Sequence, residues 1–285
     1  SLPVLLGFFV MGFCDIVGIS SDYVQRMFGW SPALTGFVPS MVFIWFLFLG
    51  IPIGNKMNQW GRKNTVLLSM AITIVGMFLP LFSYNSMTSV TAYALLGIGN
   101  AILQVSLNPL LNNVIRSGNM LTSSLTAGQV VKAISSLLGP EIVLFTVSRF
   151  SEDKWYYCFP ILGAITLLSA VWLMFTPIPR EDRIEDRISV KDTFSLLSNK
   201  MILLLFLGIF FIVGVDVATN YISSKLMTIR FGWTEAQVKF APQVYFLCRT
   251  IGALLGAFML AKVDEIKYFK VNIVACGVSL LLLIF

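Results

Sequence analysis

Nine long apolar runs, separated by short polar stretches, constrain this chain more than any other feature. They cover roughly residues 2–25, 32–57, 64–83, 88–114, 121–148, 155–177, 199–226, 236–262 and 268–285. About 20 mostly apolar residues suffice to cross a bilayer as a helix. In lipid every backbone N–H and C=O must find its partner within the segment or in a closed barrel. The runs therefore predict an all-α polytopic membrane protein. Composition agrees, because 57% of the 285 residues are hydrophobic and only 12% are charged, about half the charge of a soluble domain.

The net charge of +6 reads as membrane topology, not as a nucleic-acid footprint, since the basic residues cluster between apolar runs. One set of connections holds Lys56, Arg62, Lys63, Arg116, Arg180, Arg183, Arg187, Lys191, Lys200, Lys262, Lys267 and Lys270. The opposite set holds Arg26, Arg149, Lys154, Lys225, Arg230 and Lys239. Twelve against six places the first set, and with it the amino terminus, on the cytoplasmic side. Cys14, Cys158, Cys248 and Cys276 each sit within an apolar run and read as small buried hydrophobes, with no metal-ligand spacing. There is no histidine, so any proton carrier is a carboxylate. No metal or cofactor is expected.

Residues 28–39 read FGWSPALTGFVP and residues 231–242 read FGWTEAQVKFAP, with Phe, Gly, Trp, Ala, Phe and Pro in register 203 positions apart. Each copy begins where an outgoing run ends. A repeat separated by six runs predicts two like halves in the same orientation, the arrangement of transporters that bind substrate between the halves near the midplane. Residues 1–177 then form an N-terminal six-helix half, 178–198 a charged cytoplasmic linker, and 199–285 the first three helices of a truncated C-terminal half. Because the sequence starts and stops inside apolar runs, it is expected to be a fragment of something longer.

Between the second and third runs lies Gly54-Asn-Lys-Met-Asn58-Gln-Trp-Gly61-Arg62-Lys63. It resembles the loop motif of the major facilitator superfamily, with Asn58 at a position where the family usually has Asp. The resemblance implies the major facilitator fold. A narrower resemblance, to the fucose/glucose/galactose–proton symporter family, rests on Asp15-Ile-Val, Leu-Asn108-Pro109, Val213-Gly-Val-Asp216-Val and Arg249-Thr-Ile-Gly252. It implies proton coupling and sugar binding at a first-helix aspartate, which Asp15 matches, and at a fourth-helix glutamate, where this chain has Gln104. Gln129 also matches, whereas Lys132 stands where the family tends to have a neutral amide. The same resemblance implies a bacterial cytoplasmic (inner) membrane.

A charge at the centre of a bilayer costs at least about 2.5 kcal/mol, so Asp15, Lys132, Glu141, Asp216 and Arg249 must face a cavity or a partner. Polar stripes at helical spacing join them: Asp15, Gly18 and Asp22; Asn100, Gln104 and Asn108; Ser124, Gly128 and Lys132; and Asp216, Asn220 and Ser223. They are expected to converge on a wet interior whose amides and carboxylates suit a polyhydroxylated ligand. Asp15 and Asp216 are the candidate proton-coupling residues. Asn100, Gln104, Asn108, Gln129, Lys132, Asn220 and Arg249 are the candidate substrate ligands. Open alternatives are an ion pair of Asp15 with Lys132 or another interior cation, a substrate carboxylate at Lys132, and a structural pair of Asp216 with Arg249. Glu141 reads as structural or gating, and Asp22 as solvated near the outer interface. Trp30, Trp155 and Trp233 read as interfacial belt residues.

The expected function is secondary transport of a sugar or related polar metabolite by a monomer, with protons as the coupling ion. The alternatives are a drug or metabolite exporter and a non-transporting sugar sensor. A membrane enzyme lacks the paired carboxylates or ligand clusters such sites use.

Overall fold

The computed structural model describes residues 2–115, 118–179, 189–234, 237, 240–260 and 262–282, with all side chains in those stretches but those at 118–120, 122, 220, 221, 224, 225 and 265. The described residues form nine long helices. These are α1 (Leu2–Phe28), α2 (Pro32–Trp60), α3 (Arg62–Phe82), α4 (Ser86–Val114), α5 (Gly118–Arg149), α6 (Glu152–Phe175), α7 (Lys200–Phe231), α8 (Phe240–Leu260) and α9 (Glu265–Leu282). Eight are long and apolar enough to cross a membrane. The exception is α9, whose described part has 18 residues and carries Glu265, Lys267 and Lys270 in its first two turns; residues 283–285 of that expected span lie outside the described residues. Of the expected linker, residues 180–188 also lie outside them, and Val190–Ser195 forms a short helix.

The two copies of the repeat end their helices in the same way. Gly29 caps α1 at φ 62° and Gly232 caps α7 at φ 64°, the left-handed conformation that glycine adopts without a Cβ penalty. Each cap returns its amide to the last turn, from Gly29 to the Gln25 carbonyl and from Gly232 to that of Thr228. The pattern in register is thus a helix stop.

Packing is densest among α1–α6. There α4 lies against α2 and α3, α3 against α6, and α1 against α4, α5 and α6. Phe8, Phe13, Met70, Leu103, Leu107 and Phe159 fill the space between them. The principal contact with α7–α9 is α8 along α5. By contrast, the most apolar stretch of α7, within Lys200–Thr219, buries none of its residues.

Two features of α1 shape the interior. A 3-10 segment, Gly12–Ile16, interrupts the α-helix and carries Asp15; such tightening in mid-helix often marks a functional point. At Gly12, a Cβ would stand 2.6 Å from the Lys132 carbonyl oxygen and 2.7 Å from Ser135 Cβ. Glycine therefore sets how closely α1 approaches α5. Gly12→Val is expected to lower stability by about 1–3 kcal/mol through overpacking. A thermal unfolding curve in detergent checks this, and an unchanged midpoint would show that α1 can shift freely.

Two expectations change here. Cys14 and Cys158 are buried as predicted, but Cys248 and Cys276 are exposed. Both lie on helices that bury few residues, so an apolar run did not imply a buried face. Trp155 is not an interfacial belt residue. It is 1% exposed and stacks on Tyr23, with the edge of Tyr84 against it. The 3-10 turn Glu152–Tyr157 at the start of α6 carries it among the aromatic rings at that end of the bundle.

Candidate functional site

The 3-10 segment of α1 presents Asp15 to two neighbouring helices. From α5, the Ser136 hydroxyl donates to Asp15 Oδ2 at 2.5 Å. From α8, Arg249 Nη1 lies 3.5 Å from the same oxygen. The other arm of that guanidinium, Nη2, lies 3.3 Å from Asp216 Oδ2 on α7. The Tyr245 hydroxyl, one turn before Arg249 on α8, donates to Asp216 Oδ1. One cation thus bridges two carboxylates, one from α1–α6 and one from α7–α9, and each carboxylate also accepts from a hydroxyl. Asp15 is the more enclosed, with its side chain 12% exposed against 34% for Asp216. The planar fork of an arginine suits this double role better than a lysine would.

Asn100 lies on α4, which packs against the 3-10 segment carrying Asp15. It is 4% exposed, and neither atom of its amide has a hydrogen-bond partner among the described residues. A buried amide left unpaired is costly, and a water or a ligand hydroxyl would satisfy it. Towards one end of the α5–α8 seam, Gln243 Nε2 donates to Glu141 Oε1 at 2.8 Å.

The α2–α3 loop motif has a different geometry. Gly61 turns the chain at φ 86°. Arg62 then reaches α4, donating to the Pro109 carbonyl at 2.9 Å and to the Asn113 side chain. Lys63 reaches the end of α6, donating to the carbonyls of Met174 at 2.9 Å and Thr176 at 2.7 Å. Cations at the carboxyl ends of helices satisfy orphan carbonyls and oppose the helix dipole. Gly54 faces Val105 of α4, and Asn58 is half-buried. Lys63→Met is expected to remove about 1 kcal/mol of stability, read as a lower unfolding midpoint. An unchanged midpoint would mean that the carbonyls are satisfied equally well by water.

The family model of the Major Facilitator Superfamily matches residues 4–285. The chain belongs to the Major Facilitator Superfamily. Among solved structures it is similar to the E. coli fucose:proton symporter FucP, in its outward conformation, at a TM-score of 0.63 and 15% identity, covering 92% of this chain and 71% of that one. It is also similar to the E. coli xylose transporter XylE in an inward-open conformation, at a TM-score of 0.61 and 16% identity, covering 93% of this chain and 68% of that one. At such identities the likeness shows the fold alone. A comparison with curated protein sequences finds no match.

Within this Major Facilitator Superfamily fold, the structure brings Asp15, Asp216 and Arg249 together and sets Asn100 on a helix beside them. It does not pair Asp15 with Lys132: among the described residues Lys132 forms no ion pair, because Arg249 occupies the carboxylate first. The α4 stripe is not uniformly interior. Gln104 is half-buried and Asn108 is exposed, as is Gln129 on α5. The side chain of Asn220 lies outside the described residues. Asp22 is exposed, as expected. Sequence reasoning missed Ser136 and Tyr245. Each stands one turn from a residue it had singled out, Ser136 after Lys132 and Tyr245 before Arg249, so extending those stripes by four positions would have found them.

Proposed function

We propose that this chain is a secondary active transporter that moves a sugar or related small polar metabolite by alternating access of its two halves. A proton carried at Asp15 drives it. The observation that supports this most is the Arg249 fork. One guanidinium is shared between two carboxylates, and Asp15 is the more enclosed of the two. A proton on Asp15 removes the ionic link between the halves and leaves Arg249 with Asp216 in its own half, so the halves are free to move. With the proton lost, the link re-forms.

Asn100, with its unpaired amide, is the first candidate ligand for substrate hydroxyls, and Gln104 follows on the same helix. Asp216 keeps Arg249 in place and is a second candidate for the coupling proton. Asn108, Gln129 and Asn220 complete the proposed set. The similar structures are named for a fucose:proton symporter and a xylose transporter, which favours a monosaccharide as the cargo. The basic loops and the amino terminus face the cytoplasm in this reading.

The test is uptake by the full-length protein in proteoliposomes. L-fucose, D-xylose, D-glucose and D-glucuronate are offered with and without an inward proton gradient. Accumulation only with the gradient supports the reading, and uphill uptake independent of the gradient refutes the proton as driver.

A further inference from the structure

Among the described residues Lys132 has no acidic partner. It lies on the same face of α5 as Ser136, one turn before it, and Ser136 donates to Asp15. Its backbone carbonyl meets Gly12 of α1. Among the described residues it forms no salt bridge, and it is half-buried. Among the described residues, the charged and titratable groups joined to Asp15 are Cys14 on α1, Asp216 on α7, and Tyr245 and Arg249 on α8. Glu141, two turns further along α5, is held by Gln243.

The formal charges at the centre then sum simply. Asp15 and Asp216 contribute two negative charges, and Arg249 and Lys132 contribute two positive ones, so the empty ionised site is neutral. Once Asp15 takes the coupling proton, the site carries one positive charge, and that charge resides on a lysine with no counter-ion. Enclosing an unpaired charge away from water is expensive. A neutral sugar leaves that cost in place. A ligand with one carboxylate removes it and returns the site to neutrality.

We propose that the transported metabolite is a monocarboxylate sugar acid, its carboxylate held by Lys132 and its hydroxyls by the amide side chains of α4. This rests on the proton-coupled reading above, and it makes co-transport of one proton with one monoanion electrically silent. A neutral monosaccharide offers Lys132 hydroxyl acceptors but no counter-charge, so the charge balance favours the acid over the sugar.

The experiment uses the full-length protein with D-glucuronate and D-glucose as probes, in two independent assays. Binding is read by the thermal shift of the purified protein. Transport is read by uptake into proteoliposomes under an inward proton gradient, with the membrane potential clamped at zero and then imposed. D-glucuronate is expected to bind and accumulate at least about tenfold better than D-glucose, as losing a charge-assisted hydrogen bond costs about one to two decades in affinity. Its uptake should follow the proton gradient and not respond to the potential. Lys132→Gln should cancel this preference, and Lys132→Arg, which keeps the charge, should retain it. The inference is overturned if Lys132→Gln leaves the preference intact, if D-glucose is the better ligand, or if neither compound binds. D-glucuronate binding that depends on Lys132 without gradient-driven uptake would uphold the substrate class and refute the transport reading. Gradient-driven uptake of D-glucose alone would do the reverse.

Discussion

Asp15→Asn is expected to reduce proton-driven accumulation to the level seen without a gradient while preserving exchange of labelled for unlabelled substrate. The amide imitates the protonated acid in shape and charge and cannot lose its proton. Arg249 then has no carboxylate to meet on the α1 side, and the link between the halves stays open. Exchange needs only the loaded protein to turn over in both directions, with no net movement of protons. Accumulation requires the proton to leave. The check is a pair of assays on the same proteoliposomes, one for uphill uptake and one for counterflow. Wild-type accumulation in the variant would remove Asp15 from coupling and pass the role to Asp216. Loss of both activities would make Asp15 a structural residue held by Ser136 and Arg249.

The second large effect concerns Arg249. Arg249→Met leaves Asp15 and Asp216 facing one another without their shared cation, and breaking a partly buried pair from one side costs about 1–3 kcal/mol. The variant should therefore unfold at a clearly lower temperature and lose accumulation. Combining it with Asp15→Asn and Asp216→Asn removes the stranded charges, and most of the stability should return, because replacing a whole ionic cluster is close to neutral. Transport should not return, since the proton carrier has gone with the charges. Separating stability from activity in this way distinguishes a working ion pair from a structural one. If Arg249→Met alone unfolds like the wild type, water already screens both carboxylates and the fork does not hold the halves together.

Much of this could be read from residues alone, and the reason is the solvent. A chain in lipid cannot leave a backbone amide unpaired, so the apolar runs had to be helices and the polar stretches had to be their ends. The FGW repeat marked two helix stops because glycine is the residue that takes a left-handed turn at low cost, and Gly29 and Gly232 do so. Asp15, Asp216 and Arg249 could be named in advance because a charge inside a membrane must have a reason to be there. Spacing did not say how far each side chain is covered, and Asn108 and Gln129 are exposed. Spacing along a helix says which residues share a face, not which face turns inward. Proximity to a helix end did not reveal the 3-10 turn that buries the ring of Trp155.

Sequence by itself thus determined the solvent, the spans, the repeat and the small set of charged residues inside the apolar runs. Only the tertiary structure decided who meets whom. Asp15 and Ser136 are 121 positions apart, and Arg249 reaches Asp15 from the other half. Lys132, the nearer cation along the chain, is left without an acid among the described residues. Such pairings depend on how each helix is rotated and how closely its neighbours approach, as at Gly12 against the Lys132 carbonyl. Rotation and approach are set by side-chain volumes on several helices at once, and no local pattern in one helix encodes them.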